Sequence, residues 1–187
     1  MKKDAKEKNG VIDRYVLKMD ELNILSQKTI KSGVNKFNDI LIDAYIEGFA
    51  AAAYMIGEDI DIDPDKLETA IKKKYEEISI SEKADDYIKN NDVESLRRLL
   101  ESEFHRVYNQ AILDYAEQIG NVIYKTWVAI IDDKTRDTHF YLDGTSVPTD
   151  AYFYSFDGDK GLMPGGFERA ENNANCRCII ALTNENI

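Results

Sequence analysis

Cys176 and Cys178 stand one residue apart in "NNANCRCIIAL" and are the only cysteines of the chain. One of its two histidines, His139, lies upstream in "DDKTRDTHFYLDG". Thiolate and imidazole are donors that hold a tetrahedral zinc, at about 2.3 Å from sulfur and about 2.0 Å from nitrogen. An extended chain projects residues i and i+2 to one face. If "CRCII" enters a strand, both thiols project together and Arg177 points away. A zinc site would then take Cys176, Cys178 and His139, with Asp133, Asp132 or water in the fourth position. The plain alternative is two small buried thiols, since free cysteine is among the most buried residue types. A disulfide between them is disfavoured, because their separation in a strand is near the upper limit for bridging.

Other residues carry weaker chemistry. His139 and Asp143 are close enough in sequence to form an acid–base pair, but no recognisable nucleophile accompanies them. The same segment, "LDG" before "TSVP", also reads as a hairpin turn with Gly144 supplying a positive φ. "DGDKGLMPGGFE" offers Asp157, Asp159 and Glu168 in the manner of a calcium loop. Leu162 stands where that loop needs glycine, so a glycine-rich turn is the plainer reading. His105, beside Phe104 in a long helix, reads as a surface or boundary residue.

Composition narrows the classes. The chain has 187 residues, 43% hydrophobic and 32% charged, with a net charge of −11. That is enough chain to bury a core. Binding to duplex nucleic acid through a broad basic face is disfavoured, since phosphate neutralisation needs clustered Lys and Arg. "GFAAAAYMIG" is too short for a bilayer span. The charged opening "MKKDAKEKNG" is not followed by the apolar core of a secretory signal. A reducing cytoplasm, where thiols stay free or bind metal, is the expectation.

These side chains must be positioned by two kinds of element. The first ten residues read as a frayed terminus. Helical spacing then runs over 11–28, and more strongly over 29–56 through Phe37, Leu41, Ala44, Tyr45, Phe49 and Ala52. Gly33 and Gly48 inside the second helix signal a break or a close helix contact. Asp63 with Pro64 starts a third helix. Asn91 or Asp92 starts a long one with the stripe Leu96, Leu100, Phe104, Val107, Tyr108, Ala111, Ile112 and Tyr115, ending near Gly120. Residues 11–120 are thus essentially all helix. Beyond them "NVIYKTWVAIID", "AYFYSF" and "CRCIIALT" read as strands. Two of the three prolines and half of the ten glycines follow residue 140. The expected fold is α+β: a helical N-terminal part, then a small β-containing, turn-rich C-terminal part.

The ordered series "EFHRVYNQAILDYAEQIG", "KTWVAIIDDKTRDTHFYLDGTSVP", "FYSFDGDKGLMPGG" and "AENNANCRCIIAL" resembles the head-morphogenesis domain of tailed-bacteriophage minor head proteins, the Mu protein F-like family. The matching positions are Glu103, Arg106, Asn109, Trp127, Asp133, Thr135, Arg136, His139, Asp143, Gly144, Phe156, Pro164, Gly165 and Asn175 to Cys178. They span about residues 92–182. An acid often follows the P-G of the family, and Gly166 stands there here.

Helical spacing and the resemblance together divide the chain into a helical region over 1–90, which the resemblance does not reach, and a head-morphogenesis domain over 91–187. The resemblance implies a phage or prophage minor head protein that is not an enzyme, present in the host cytoplasm during assembly and then in the virion head. Its partners would be a portal or capsid protein, the helical region being a candidate for that contact. Trp127, Arg136, Asp143, Gly144 and Asn175 would be structural, with zinc as the one candidate cofactor. The reading from a different class is a small metal-dependent hydrolase or nuclease-like effector centred on His139, Cys176 and Cys178.

Overall fold

The computed structural model describes residues 2–75, 77–120, 124–133 and 135–184, with side chains from residue 10 onward. Helix α1 (Lys2–Ser32) and helix α2 (Val34–Ile56) meet at Gly33, whose φ of +84° ends one helix and starts the next. The first helix therefore begins earlier, and ends later, than apolar spacing suggests. Gly48 does the other thing a helical glycine can do. A Cβ there would lie 2.2 Å from the Tyr108 carbonyl oxygen, so α2 crosses the long helix at backbone contact.

Helix α3 (Pro64–Ile71) starts as expected, with Asp63 accepting from the Asp65 N–H at 2.9 Å and Pro64 at the first position. A small hairpin follows, β1 (Lys74–Tyr75) with β2 (Ile78–Ser79), which interrupts the all-helical reading of this half. Helix α4 (Ile80–Lys89) opens with a reciprocal cap between Ser79 and Glu82, which satisfies two orphan donors at once. Helix α5 (Val93–Ile119) is capped by Asp92, accepting from Ser95 N–H at 3.0 Å, and closes at Gly120 with φ +68°. Its apolar stripe and that of α2 are buried together.

After α5 the chain builds β3 (Tyr124–Val128), α6 (Asp137–Phe140), β4 (Ser146–Pro148), β5 (Phe153–Tyr154), β6 (Lys160–Gly161), α7 (Ala170–Asn173) and β7 (Ile179–Thr183). An antiparallel sheet runs β4-β3-β7, with Thr126 opposite Ser146 and Trp127 opposite Ile180. Strands β5 and β6 form a separate hairpin. Of the strand expected over 121–132, residues 121–123 lie outside the described residues and the ladder stops at Val128. "AYFYSF" yields two paired residues, because Ser155 turns back to Asp159 at 2.9 Å. The architecture is α+β, helices first and a small sheet after them. No described helix is long and apolar enough to cross a membrane.

The outer edge of β7 lies on the helices, and their side chains take up its backbone. Asn109 accepts from Ile180 N–H at 3.0 Å, and Met55 Sδ accepts from Leu182 N–H at 3.4 Å. Ile179 to Leu182 are all buried. An edge that would otherwise be open for further pairing is thereby closed.

Candidate functional site

Trp127 is fully buried at the centre of the C-terminal unit. Phe153 and Phe167 meet it edge-on, with ring centroids 5.2 and 5.6 Å away. His139 meets it edge-on at 5.5 Å and stacks on Phe167 at 6.1 Å. These ring contacts fix the imidazole plane on the side of Nε2, which has no hydrogen-bond partner.

The other ring nitrogen faces both thiols. His139 Nδ1 is 3.4 Å from Cys176 Sγ and 3.5 Å from Cys178 Sγ. All three ligand atoms lie within 4.8 Å of one another, and all three residues are buried. The cysteines precede β7 rather than sit in it, yet the i, i+2 geometry persists in the extended lead-in. Arg177 points away and donates to Asp132 Oδ1 at 2.6 Å. Asn175 sets up the approach with φ +53°, a left-handed conformation that asparagine tolerates better than most residues. The Cys176 N–H then bonds Asn173 O at 3.2 Å.

The two thiols differ in acidity. Burial pushes the Cys176 thiol well up, while a hydrogen bond from Cys176, then the imidazole, pulls Cys178 down. Trp127 Nε1 makes no hydrogen bond of normal geometry, but its N–H still favours a negative Cys178 sulfur. A cavity of about 10 Å³ touches His139, both cysteines, Thr135 and Asn175. That is room for about one water-sized occupant. A groove of about 510 Å³ reaches the Cys176 edge of the cluster, and its arginines already have partners. Arg97 pairs with Glu94 and Glu101, Arg177 with Asp132, and Arg136 donates to Ala174 O. The space at His139 holds about one water and the larger groove opens only on the Cys176 side, an arrangement that does not favour a hydrolase centred on His139.

The remaining residues singled out from sequence fall into place as structure. Asp133 is exposed and stands outside the cluster. Asp143 is not paired with His139; its Oδ1 accepts from Ala129 N–H at 2.8 Å, closing the turn where Gly144 has φ +75°. Thr135 Oγ1 donates to Ile130 O at 2.7 Å and accepts from Asp132 N–H at 2.9 Å. Phe156 is exposed and lies against Tyr141, so the buried phenylalanines of this unit are Phe153 and Phe167.

The glycine-rich loop is not a calcium cradle. The Ser155 hydroxyl and Asn172 hold Asp157 down to about 2. Asp159 takes the Lys160 N–H at 2.8 Å, the Arg169 N–H at 3.2 Å and Asn172 Nδ2 at 2.8 Å. Glu168 pairs with Lys160. The carboxylates that a cation would need are satisfied by protein donors.

The helix motif is buried around its whole circumference from Glu103 to Asn109. Arg106 bonds Glu103 at 2.8 Å and Ala70 O at 2.7 Å, and Glu103 also accepts from the Tyr75 hydroxyl at 2.7 Å. Asn109 Nδ2 reaches Cys178 O at 3.3 Å. His105 is not a surface residue: it is buried, 2.6 Å from the Tyr15 hydroxyl, and burial lowers it to about 3. Gly165 packs against it, a Cβ there meeting His105 Cδ2 at 3.2 Å. The sign available in the sequence was four polar residues within two turns of an otherwise apolar stripe, as in a helix covered on both sides.

Residues 64–181 match the family described as phage Mu protein F like protein. The chain is 36% identical over 81 residues to minor head protein GP7 of Bacillus phage SPP1, covering 42% of this chain and 26% of that protein. It is 39% identical over 72 residues to NAD(+)--arginine ADP-ribosyltransferase EFV of Enterococcus faecalis (strain ATCC 700802 / V583), covering 38% of this chain and 15% of that one. The chain thus spans about a quarter of the first relative and about a seventh of the second. No solved structure matches it. The family match begins at Pro64, and the bonds from Arg106 to Ala70 and from Tyr75 to Glu103 tie that upstream segment to α5. Since the match covers well over half of the 187 residues, the chain belongs to the phage Mu protein F like family.

Proposed function

We propose that this chain acts in bacteriophage head morphogenesis as a minor head protein, working by binding the portal or the inner capsid rather than by turnover. Family membership is the observation that carries this reading. The motif residues support it from the physical side. Glu103, Arg106, Asn109, Trp127 and His139 are each at most 4% exposed and are spent on internal contacts. A surface with a net charge of −11 suits contact with protein better than with phosphate. The transferase name belongs to a protein of which this chain matches 15%, and no transferase reading is drawn from it.

The test uses the portal and major capsid proteins of the phage or prophage that carries this gene. Co-expression followed by affinity capture and gel filtration should recover this chain with one of them. Deleting the gene should lower the yield of infectious particles, and the chain should be detectable in purified heads. Failure to bind either partner, together with normal particle yield on deletion, overturns the proposal.

A further inference from the structure

We propose that His139 Nδ1, Cys176 Sγ and Cys178 Sγ bind one zinc ion, with water as fourth ligand, and that this ion fastens the segment between β3 and β4 to the start of β7. The inference is independent of the head-assembly reading.

Geometry is the first support. Zinc–sulfur and zinc–nitrogen bonds of about 2.3 and 2.0–2.1 Å at a tetrahedral angle place nitrogen and sulfur about 3.6 Å apart. The two separations here are 3.4 and 3.5 Å. A single imidazole lone pair accepts one S–H bond well, so packing alone does not call for two sulfurs at equal range from one nitrogen. A shared cation does.

Charge is the second support. Two thiolates and one Zn²⁺ sum to zero, which suits a site whose three residues are all buried. Binding releases the thiol protons to solvent. Two neighbouring thiolates without the cation would carry an uncompensated buried charge.

Space is the third. The cavity of about 10 Å³ beside the cluster matches one water in the open position. The larger groove at Cys176 gives the ion a way in. The imidazole is held in its plane by Trp127 and Phe167 rather than by an acceptor on Nε2.

The fourth support is need. The strands of this unit are two to five residues long. Small units with little core commonly rely on a metal or a disulfide. His139 sits in α6 and the cysteines 37 and 39 residues later, so one ion would close the whole intervening loop.

The test is metal analysis of protein purified without chelator, after incubation with equimolar zinc and gel filtration. About one zinc per chain is expected, falling several-fold in Cys178→Ser. Chelator should lower the melting temperature of the wild type and zinc should restore it, a readout that does not depend on any variant folding. Cobalt(II) added to chelated protein should give a thiolate-to-metal charge-transfer band, weakened in Cys176→Ser and absent when both cysteines are replaced. Less than about 0.1 zinc per chain, with an unchanged melting temperature in chelator, overturns the proposal. So does equal zinc retention by the Cys176→Ala, Cys178→Ala double variant, because the ion then sits elsewhere.

Discussion

The helical layer and the C-terminal unit are held together by different means. In the layer, α2 and α5 bury Phe37, Leu41, Ala44, Tyr45, Phe49, Leu100, Val107 and Ala111 on matched stripes. Helix spacing repeats each contact every turn, so no single residue specifies the packing. The C-terminal unit has no long repeat. Its core gathers four rings and two thiols with Leu142, Met163 and the buried run Ile179 to Leu182, and its loops are fixed one by one. Asn173 clamps both the N–H and the carbonyl of Phe167, Asp143 holds Ala129, and Asn172 bridges Asp157 and Asp159. One region is stabilised by area and the other by points. A point-held structure should be sensitive where a point is removed, and tolerant elsewhere.

Asn109 provides the sharpest test, because it joins the two regions. It accepts from Ile180 N–H and donates to Cys178 O, and all of these groups are buried. Leucine keeps the branched shape, though it is bulkier, and strands both backbone groups, at about 1–3 kcal/mol each. Asn109→Leu should therefore lose about 2–6 kcal/mol in urea unfolding, with the Ile180 amide exchanging much faster than amides in α2. A loss confined to below about 1 kcal/mol would mean that β7 is held by apolar contact like the helices, and the contrast fails.

The helical layer has points of its own, among them the Glu103–Arg106 network and the backbone contact at Gly48. At Gly48 an alanine gains up to about 1 kcal/mol of helix propensity. Its Cβ would meet the Tyr108 carbonyl oxygen at 2.2 Å, and a backbone atom cannot swing aside. Overpacking of this kind costs about 1–3 kcal/mol or more. Gly48→Ala should thus destabilise the protein, by about 2 kcal/mol in chemical denaturation. A gain in stability would show that α2 and α5 can slide apart at little cost.

His105 links the regions through pH. Burial holds its folded value near 3, with the His139 charge adding to the shift, against about 6.5 unfolded. Its neighbours are Tyr15 and Asn109, neither a charged group at neutral pH. Below pH 6.5 the unfolded chain binds a proton that the native one refuses. Stability is therefore full above about pH 6.5 and falls as the pH drops toward 3. At pH 5 the loss from this residue is about 2 kcal/mol. His105→Leu orphans the Tyr15 hydroxyl and lowers stability at every pH, but the difference between pH 7 and pH 5 should shrink by that amount. An unchanged difference would show that His105 titrates normally.

What the sequence disclosed follows the same division. The stripes of α2 and α5, the caps at Asp63 and Asp92 and the stop at Gly120 were legible because helix periodicity and capping are local rules. The convergence of Cys176 and Cys178 was legible too, since i, i+2 spacing is local. Point contacts between distant segments were not. Asp133 was one candidate, with Asp132 and water, for a fourth ligand, and it is exposed. The loop at Asp157 read as a glycine-rich turn, but the donors that hold its carboxylates, Asn172 and the Arg169 N–H, lie 10 or more residues further along the chain and were not legible. Lys125 shares the inner face of β3 with Trp127 and is fully buried. It gives its charge to Thr149 O at 2.8 Å and to the Phe153 ring, and burial lowers it to about 8. Nothing local announces a buried lysine.

The smallest expected effect concerns Arg136, which lies among Asp132, Asp133 and Asp137 in sequence. In the structure Arg177 takes Asp132, and Arg136 donates Nη2 to the Ala174 carbonyl, one residue before the left-handed Asn175. The contact pins the turn from which Cys176 emerges. Lysine reaches the carbonyl with a single mobile donor and loses the fixed plane of the guanidinium. The site is half-buried, so the cost should stay below about 1 kcal/mol, or about 1–3 °C in melting temperature for a chain of this size. Arg136→Ala should cost somewhat more than Arg136→Lys, because it removes the donor altogether. If neither variant shifts the melting temperature, the turn is held by the backbone of Asn173 to Cys176 alone. The C-terminal unit would then depend on fewer points than its hydrogen bonds suggest, and the largest of them, Asn109, would carry correspondingly more.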